Sequence, residues 1–509
     1  MTTKYALISL AIGLQTFAQA AAGIVYDPEG YNHGDYGPVP NTTYVSSDLK
    51  APIWQVNTWK PDKVDQTPKH IFMDFFGADE DTGPKIFSTH DLSLVYSHPA
   101  AEGSFNARVQ KYKGKDYLTY WAGTHNGAAG SGSGYCYFLN NRYQLAYTIA
   151  PIGLQEGVMT DQHECQMTED DTVLISVYQS IPNYDLTSVG GPANGTLLDS
   201  GFQEIDIATN KTVVTWWASD HFDISDSYVQ YDQVPSELNS KGFDFFHLNS
   251  VQKIKKNFLV SGRLCRVVTY IDHADGKPIW TLGGKVNQFQ DLSNGKALSF
   301  GYQHHARFHD ESMTQLTMFD NHGFNSMVGC ESNCSRGLHL ELDQVKKTAR
   351  VISESYHPQS LVTGAEGSFQ VQKNGNALVG WGTNPSFTEV TEEGELAWDV
   401  QYGPWYTAQN TSETNGNYRV FKDNWVGYPT WDPDIAAKDG NVYVSWNGAT
   451  EVEFWDVYIG NSSTKLSRWK RFKKTGFETM IKLETTRHVQ VKALDRRNKP
   501  LGATKILAM

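Results

Sequence analysis

The stretch FGYQHHARFHD, residues 300–310, sets three histidines and an arginine within eleven residues. An imidazole can serve as nucleophile, as acid or base near pH 7, or as metal ligand. His304 heads the run HHARFHDESMTQLTMFD (304–320), in which polar residues lead into an apolar strand. Two further histidines head runs of the same design: His163 in HECQMTEDDTVLISVY (163–178) and His247 in HLNSVQKIKKNFLVSGR (247–263). A fourth run, GSFQVQKNGNALVGWG (367–382), lacks the histidine. One histidine at a strand end is ordinarily a surface or capping residue, whereas three at equivalent places in a repeat predict a shared site. Arg263 ends the strand that follows His247 and is expected to return to it. His305 and His309 alternate less well with the apolar positions and are expected in solvent or behind the site. Within Asp161-Gln162-His163-Glu164-Cys165, a Cys/His nucleophile pair is the less favoured alternative.

The elements that must position these residues are hairpins. Residues 202–217 (FQEIDIATNKTVVTWW), 267–280 (VVTYIDHADGKPIW) and 387–398 (FTEVTEEGELAW) each read as strand, polar turn and second strand ending in Trp. Looser copies occupy 86–96, 137–148 and 339–353. Each hairpin, joined to the run before it, makes a four-strand unit of roughly 50 to 65 residues, the signature of a propeller blade. The spacing predicts an all-β chain: a six-bladed β-propeller over residues 23–430 and a small fibronectin III-like β-sandwich over 431–509. The alternating strands NVYVSWNG, EVEFWDVYIG, TMIKLE and RHVQVKALD supply the sandwich. In a propeller the first strand of each blade lines the central channel, so His163, His247 and His304 would meet there from three blades.

Composition narrows the function classes. With 509 residues, 13% aromatic content and a net charge of −13, the chain has no basic run with which to neutralise phosphates, so nucleic-acid binding is not expected. Residues 1–22 read as a signal peptide: Lys4, an apolar run over 5–18, and Ala18-Gln19-Ala20 as cleavage site. With no other span-length apolar stretch, a secreted protein with no membrane attachment after cleavage is expected. Six sequons, at Asn41, Asn194, Asn210, Asn333, Asn410 and Asn461, predict N-glycosylation on a eukaryotic secretory route. Of five cysteines, Cys330 and Cys334 are close enough for a small loop-closing bridge, while at least one of Cys136, Cys165 and Cys265 must be free. AGTHNGAAGSGSGYCY (122–137) lacks the lysine of a phosphate loop and reads as a flexible surface loop overhanging the channel.

The motifs DQHECQ at 161, HLNSV at 247, VSGR at 260, WTLGG at 280, QHHARF at 303, MFDN at 318, GSFQVQKNGNALVGWG at 367 and SWNGATEVEFW at 445 carry a resemblance. In their order and spacing, over residues 80–460, the chain resembles the arylsulfotransferase family, in particular its fungal secreted branch. The resemblance implies a six-bladed propeller that moves a sulfuryl group from an aryl sulfate ester to a phenol, with no nucleotide donor and no cofactor. It implies His304 as nucleophile, with His305 able to exchange roles because the histidine after Gln303 is doubled. It further implies His163 as a channel histidine, His247 and Asn249 as the His-x-Asn pair, and Arg263 as the arginine of Ser-x-Arg. Ser368 and Thr383 are candidates for donor hydroxyls.

Sulfuryl transfer passes through a loose transition state with negative charge on the equatorial oxygens. Arg263 and Asn249 would donate hydrogen bonds to those oxygens, and His247 or His163 would exchange the proton with the phenol. Phe245, Phe246 and Tyr302 would either stack on an aryl ring or belong to the core. Two other readings remain open at this stage: a histidine-ligated metal enzyme, and a non-catalytic propeller that binds a glycan or a protein partner.

Overall fold

The computed structural model describes residues 23–75, 82–98, 103–127, 130–234, 241–322, 335–405, 416–483 and 486–509. The predicted signal peptide, Cys330, Cys334 and the sequons at Asn333 and Asn410 lie outside the described residues. The chain is nearly all-β, with one α-helix, Pro28–His33, among the described residues.

Six antiparallel meanders follow one another along the chain. The first is built on His70–Phe75, Gly83–Ser88 and Leu94–Ser97, and Phe421–Asp423 pairs with its leading strand. The second runs Gly103–Tyr112, Lys115–Asn126, Ser131–Leu139 and Leu145–Ile149. The third runs Thr160–Met167, Thr172–Tyr184, Gly195–Asp206 and Lys211–Trp217. The fourth runs Leu248–Ile254, Asn257–Gly262, Val267–Ile271 and Pro278–Gly283, and the fifth runs His304–Phe308, Gln315–Asp320, Arg336–Asp343 and Thr348–Tyr356. The sixth runs Ser368–Val371, Ala377–Gly380, Ser386–Val390 and Leu396–Gln401, with Trp54–Trp59 on its outer edge.

Leading strands of successive meanders pack side by side, from His70–Phe75 through to Ser368–Val371. They are buried on both faces, so a side chain there points either into the core or toward its counterparts on neighbouring leading strands. The hairpins lie where their sequence places them, and Trp216 and Trp280 join neighbouring units. Trp216 donates its indole N–H to the Gly276 carbonyl of the fourth meander at 3.0 Å. Trp280 donates to Gln344 Oε1 of the fifth at 2.9 Å. Truncating such a buried ring costs about 3–5 kcal/mol.

Residues 122–126 and 131–137 pair as strands, where a surface loop was expected. Lys115–Asn126 pairs with Ser131–Leu139 along its length. The glycines serve close approach: a Cβ on Gly134 would meet the Ala122 carbonyl oxygen at 2.2 Å, and one on Gly132 would meet the Trp121 ring at 2.7 Å. A Cys136–Cys165 disulfide stitches the second meander to the third, and Cys265 is free and buried.

Beyond residue 430, Asp434–Lys438, Asn441–Ser445 and Glu478–Lys482 form one antiparallel sheet, and Phe454–Ser462, Lys465–Lys473, His488–Leu494 and Pro500–Ala503 another. Alternate residues of both, among them Val442, Val444, Trp455, Val457, Ile481, Val489 and Val491, share one core. This part rests on the first two meanders through Asn447, whose amide oxygen accepts from Ser97 N–H at 3.0 Å, and through Tyr143, whose hydroxyl donates to the Gly448 carbonyl at 2.7 Å.

Candidate active site

The predicted histidines lie in, or immediately before, three adjacent leading strands, and each strand departs from regular pairing beside its histidine. The register shifts between Thr160 and Cys165, between Leu248 and Ser250, and between His304 and Arg307. His247 and His305 hold left-handed backbone, at φ 57° and 54°. Bulges of this kind re-aim side chains, and such conformations cluster at functional sites.

The result is a buried cluster. The His163 and His247 rings meet edge to face, 4.9 Å between centroids. Tyr418 stands between His163 and His304, 5.8 Å from the first ring and 6.2 Å from the second. Arg263 returns as expected: its backbone N–H donates to the His247 carbonyl at 3.1 Å, and its Nη2 donates to the Gly364 carbonyl at 3.1 Å. Its guanidinium lies over the Tyr302 ring, 5.0 Å from the centroid.

Every histidine of the cluster is oriented through Nδ1. His163 Nδ1 bonds Asp161 Oδ1, and His247 Nδ1 bonds Asp244 Oδ2 at 2.5 Å. For His304 the partner is neutral: Asn321 Oδ1, at 2.6 Å. Asn321 cannot be turned around, because its Nδ2 donates to the Thr363 and Glu366 carbonyls at 3.1 and 2.9 Å. An amide oxygen only accepts, so His304 Nδ1 carries the proton and Nε2 presents a lone pair. The backbone N–H of Glu366 donates to that nitrogen at 3.3 Å.

Electrostatics keep this imidazole uncharged. Burial pushes the His304 pKa well below the ordinary histidine value, and the Arg263 charge pushes it further. Burial, His163 and Arg263 do the same to His247. Burial raises the Asp244 carboxyl to about 7, against the pull of Arg263. Burial would raise Asp161 too, but the neighbouring His163 ring brings it below the usual carboxylate range. The cluster thus combines the neutral imidazoles of His247 and His304 with a fixed guanidinium, which suits an anionic substrate.

Behind it, a second group is buried, with Glu164 and Arg307 on the strands that also hold His163 and His304. Glu164 receives Arg108 at 2.9 Å, Arg419 at 3.3 Å and Arg307. Burial pushes the Glu164 carboxyl up, yet the three guanidiniums bring it down to about 2. One carboxylate among three guanidiniums leaves positive charge beneath the histidines, and Arg419 lies over the Tyr418 ring at 4.8 Å. His305 belongs to this deeper side. It faces Phe421 at 5.4 Å, and its Nδ1 accepts from the Phe369 N–H at 3.3 Å.

Several expectations need correction. Asn249 does not simply face the cluster: its Nδ2 donates to the Gln303 carbonyl at 2.6 Å, bracing the backbone that precedes His304. The Ser368 hydroxyl is engaged with Val420, accepting from its N–H at 3.0 Å, and Thr383 is exposed. Phe245 and Phe246 are core residues. Cys165 is tied up in the disulfide, which removes the Cys/His pair. Among the described residues, no group of three or more His, Cys, Asp or Glu side chains is placed to hold a metal ion. Asp161, Asp244, Asn321, Glu366 and Tyr418 escaped the sequence reading. Only Asp161, two residues before His163 in a strand and so on the same face, left a local signal. A cavity of about 490 Å³ lined by His70, Asp91, Glu453 and Lys474 contains none of the clustered residues.

The family model for arylsulfotransferase (ASST) matches residues 108–403, a span that includes His163, His247, Asn249, Arg263, His304, Asn321 and Glu366. No curated protein matches the chain. Among solved structures, a Bacteroides caccae protein of unknown function is 11% identical, covering 70% of this chain and 98% of its own, with a TM-score of 0.40. The periplasmic gluconolactonase of Pseudomonas aeruginosa is 11% identical, covering 69% and 98%, with a TM-score of 0.38. Virginiamycin B lyase of Staphylococcus aureus is 10% identical, covering 78% and 94%, with a TM-score of 0.28.

Proposed function

Since the chain belongs to the arylsulfotransferase family, we propose that it moves a sulfuryl group from an aryl sulfate ester to a phenolic acceptor through a sulfohistidine at His304. The observation that carries this reading is the state of His304: buried, uncharged, with Nδ1–H held by Asn321 and Nε2 left as a base beside Arg263. In the first half-reaction Nε2 attacks sulfur, the N–S bond forms and the bond from sulfur to the aryl oxygen breaks. In the second, the acceptor oxygen attacks the same sulfur and the N–S bond breaks. Arg263 and the Glu366 N–H are the donors assigned to the sulfuryl oxygens in this reading, each worth roughly 3–4 kcal/mol in the transition state. His163 and His247, with Nδ1 on carboxylates, keep Nε2 for hydrogen bonds to substrate.

The architecture proposed with this reading is a six-bladed propeller, one meander per blade. Phe421–Asp423 on the first sheet and Trp54–Trp59 on the sixth support closure, because chain from each end pairs with the sheet at the other. The domains proposed are the propeller to residue 430 and a fibronectin III-like sandwich over 431–509. A signal peptide over residues 1–22 and a secreted, N-glycosylated, fungal-type protein complete the proposal; Asn194, Asn210 and Asn461 are exposed.

Turnover of a chromogenic aryl sulfate, with and without added phenol, tests the function. Release of the chromophore should depend on phenol and disappear in His304→Ala with the fold intact. Full turnover by that variant would overturn the assignment.

A further inference from the structure

The sulfuryl-transfer reading leaves one requirement open. The phenolate that departs needs a proton, and the phenol that arrives must lose one. A neutral imidazole has one ring proton, so a His247 that donates Nδ1–H to Asp244 has none to spare on Nε2. The same holds for His304, which must stay unprotonated to attack.

The backbone of Glu366 lies at the reacting nitrogen. Its backbone N–H reaches His304 Nε2 at 3.3 Å, and its carbonyl accepts from Asn321 at 2.9 Å. Its residue is 9% exposed, and its Oε2 is buried with no hydrogen-bond partner. An unsatisfied buried carboxyl oxygen is costly in a core, and one on the residue whose backbone meets the nucleophile calls for a partner group. The backbone is also held in an unusual state: Glu366 has φ 68° and Gly367 has φ 103°. The segment is pinned from two sides, by Arg263 on the Gly364 carbonyl and by Asn321 on the Glu366 carbonyl. The Glu366 charge acts on the Tyr402 and Tyr418 hydroxyls, and the Arg263 charge acts on the Glu366 carboxyl.

We propose that the Glu366 carboxyl is the acid that protonates the departing aryl oxygen and then, as carboxylate, the base that takes the proton from the acceptor phenol. The inference rests on the sulfuryl-transfer reading. In the first half-reaction His304 Nε2 bonds sulfur, the aryl oxygen leaves, and the carboxyl proton goes to that oxygen. In the second, the carboxylate removes the phenolic proton as the phenol oxygen bonds sulfur and nitrogen departs, so the enzyme returns to its starting state. The carboxyl is suited to both duties. Burial raises it to about 8, against the pull of Arg263, so it is protonated at neutral pH and loses its proton readily.

The test compares Glu366→Gln with the unaltered protein on two donors, phenyl sulfate and 4-nitrophenyl sulfate, using one phenolic acceptor in a fixed excess. A nitrophenolate leaves without help, whereas a phenolate needs a proton. Desulfation of the donor in the first half-reaction should fall roughly 100- to 10,000-fold for phenyl sulfate and less than about tenfold for the nitrophenyl ester. Equal losses on both donors, or no loss, would overturn the proposal, because a residue that only shapes the backbone does not distinguish leaving groups. Should the variant fail to fold, the unaltered protein decides. Its rate on phenyl sulfate should fall above about pH 8 while the nitrophenyl ester shows no such limb, and identical profiles would overturn the proposal. A protein that moves no sulfuryl group from either donor would instead refute the underlying function and this inference with it.

Discussion

Replacing Asn321 with Asp puts a carboxylate where a neutral amide oxygen now meets His304 Nδ1 at 2.6 Å. In the unaltered protein, burial and Arg263 hold the His304 pKa well below the ordinary value, so the ring is neutral through pH 7 and the rate should be flat there. An opposite charge at that distance favours imidazolium by about one to three pKa units, each worth about 1.4 kcal/mol. The sign is unambiguous: a raised histidine pKa protonates the nucleophile over a wider acid range. The acid limb of kcat/KM should move up by about one to three pH units. The change also removes the Nδ2 donors to the Thr363 and Glu366 carbonyls, at about 1–3 kcal/mol for each group left unsatisfied. Thermal unfolding should show that loss separately. Asn321→Leu is the control, since it loses the same donors without adding charge. Its rate should drop with the acid limb in place. The assay is turnover of an aryl sulfate from acid to neutral pH for all three proteins. A folded Asn321→Asp variant with the original acid limb would refute the claim that Asn321 sets the protonation of His304.

Further outcomes follow from the same geometry. Glu164→Gln leaves Arg108, Arg307 and Arg419 facing one another without their carboxylate and should cost about 3–5 kcal/mol in a denaturant titration. Because the folded pKa of Glu164, about 2, lies below that of an unfolded glutamate, its contribution is complete above about pH 5 and is lost as pH falls toward 2. That loss, roughly 3 kcal/mol, should appear in unfolding curves of the unaltered protein and be absent from Glu164→Gln. His305→Ala should keep turnover within about tenfold, since His305 faces Phe421 and the arginines, and a loss as deep as that of His304→Ala would contradict the assignment between the paired histidines.

Much of the frame was legible because it is local. A hairpin such as 267–280 announces itself by strand alternation, an Asp-Gly turn and a terminal Trp, and Trp280 does tie its meander to the next. The gathering of His163, His247 and His304 near the starts of leading strands was legible for the same reason, although only His304 opens its strand, His247 stands just before one and His163 is fourth in Thr160–Met167. What supports those histidines was not. Asn321, 17 residues on, meets His304 across the first two strands of the fifth meander, and Glu366, 62 residues on, reaches it only once the chain entering the sixth meander packs. Tyr418 reaches the rings from chain beyond the sixth meander. Gly123, Gly132 and Gly134 misled because a glycine-rich run looks the same whether it bends freely or lets strands and rings approach closely. The partner of Cys136 was hidden likewise, 29 residues away on another meander.

The most direct test of a sulfated His304 is to trap the intermediate. The protein is mixed with an aryl sulfate in the absence of a phenolic acceptor, quenched at alkaline pH, digested and analysed by mass spectrometry. A gain of one SO₃ on the peptide carrying His304, removed by adding phenol before the quench and absent in His304→Ala, is the result expected. Phenol-dependent turnover with the adduct on another residue, or with no adduct under conditions that preserve sulfohistidine, would contradict it.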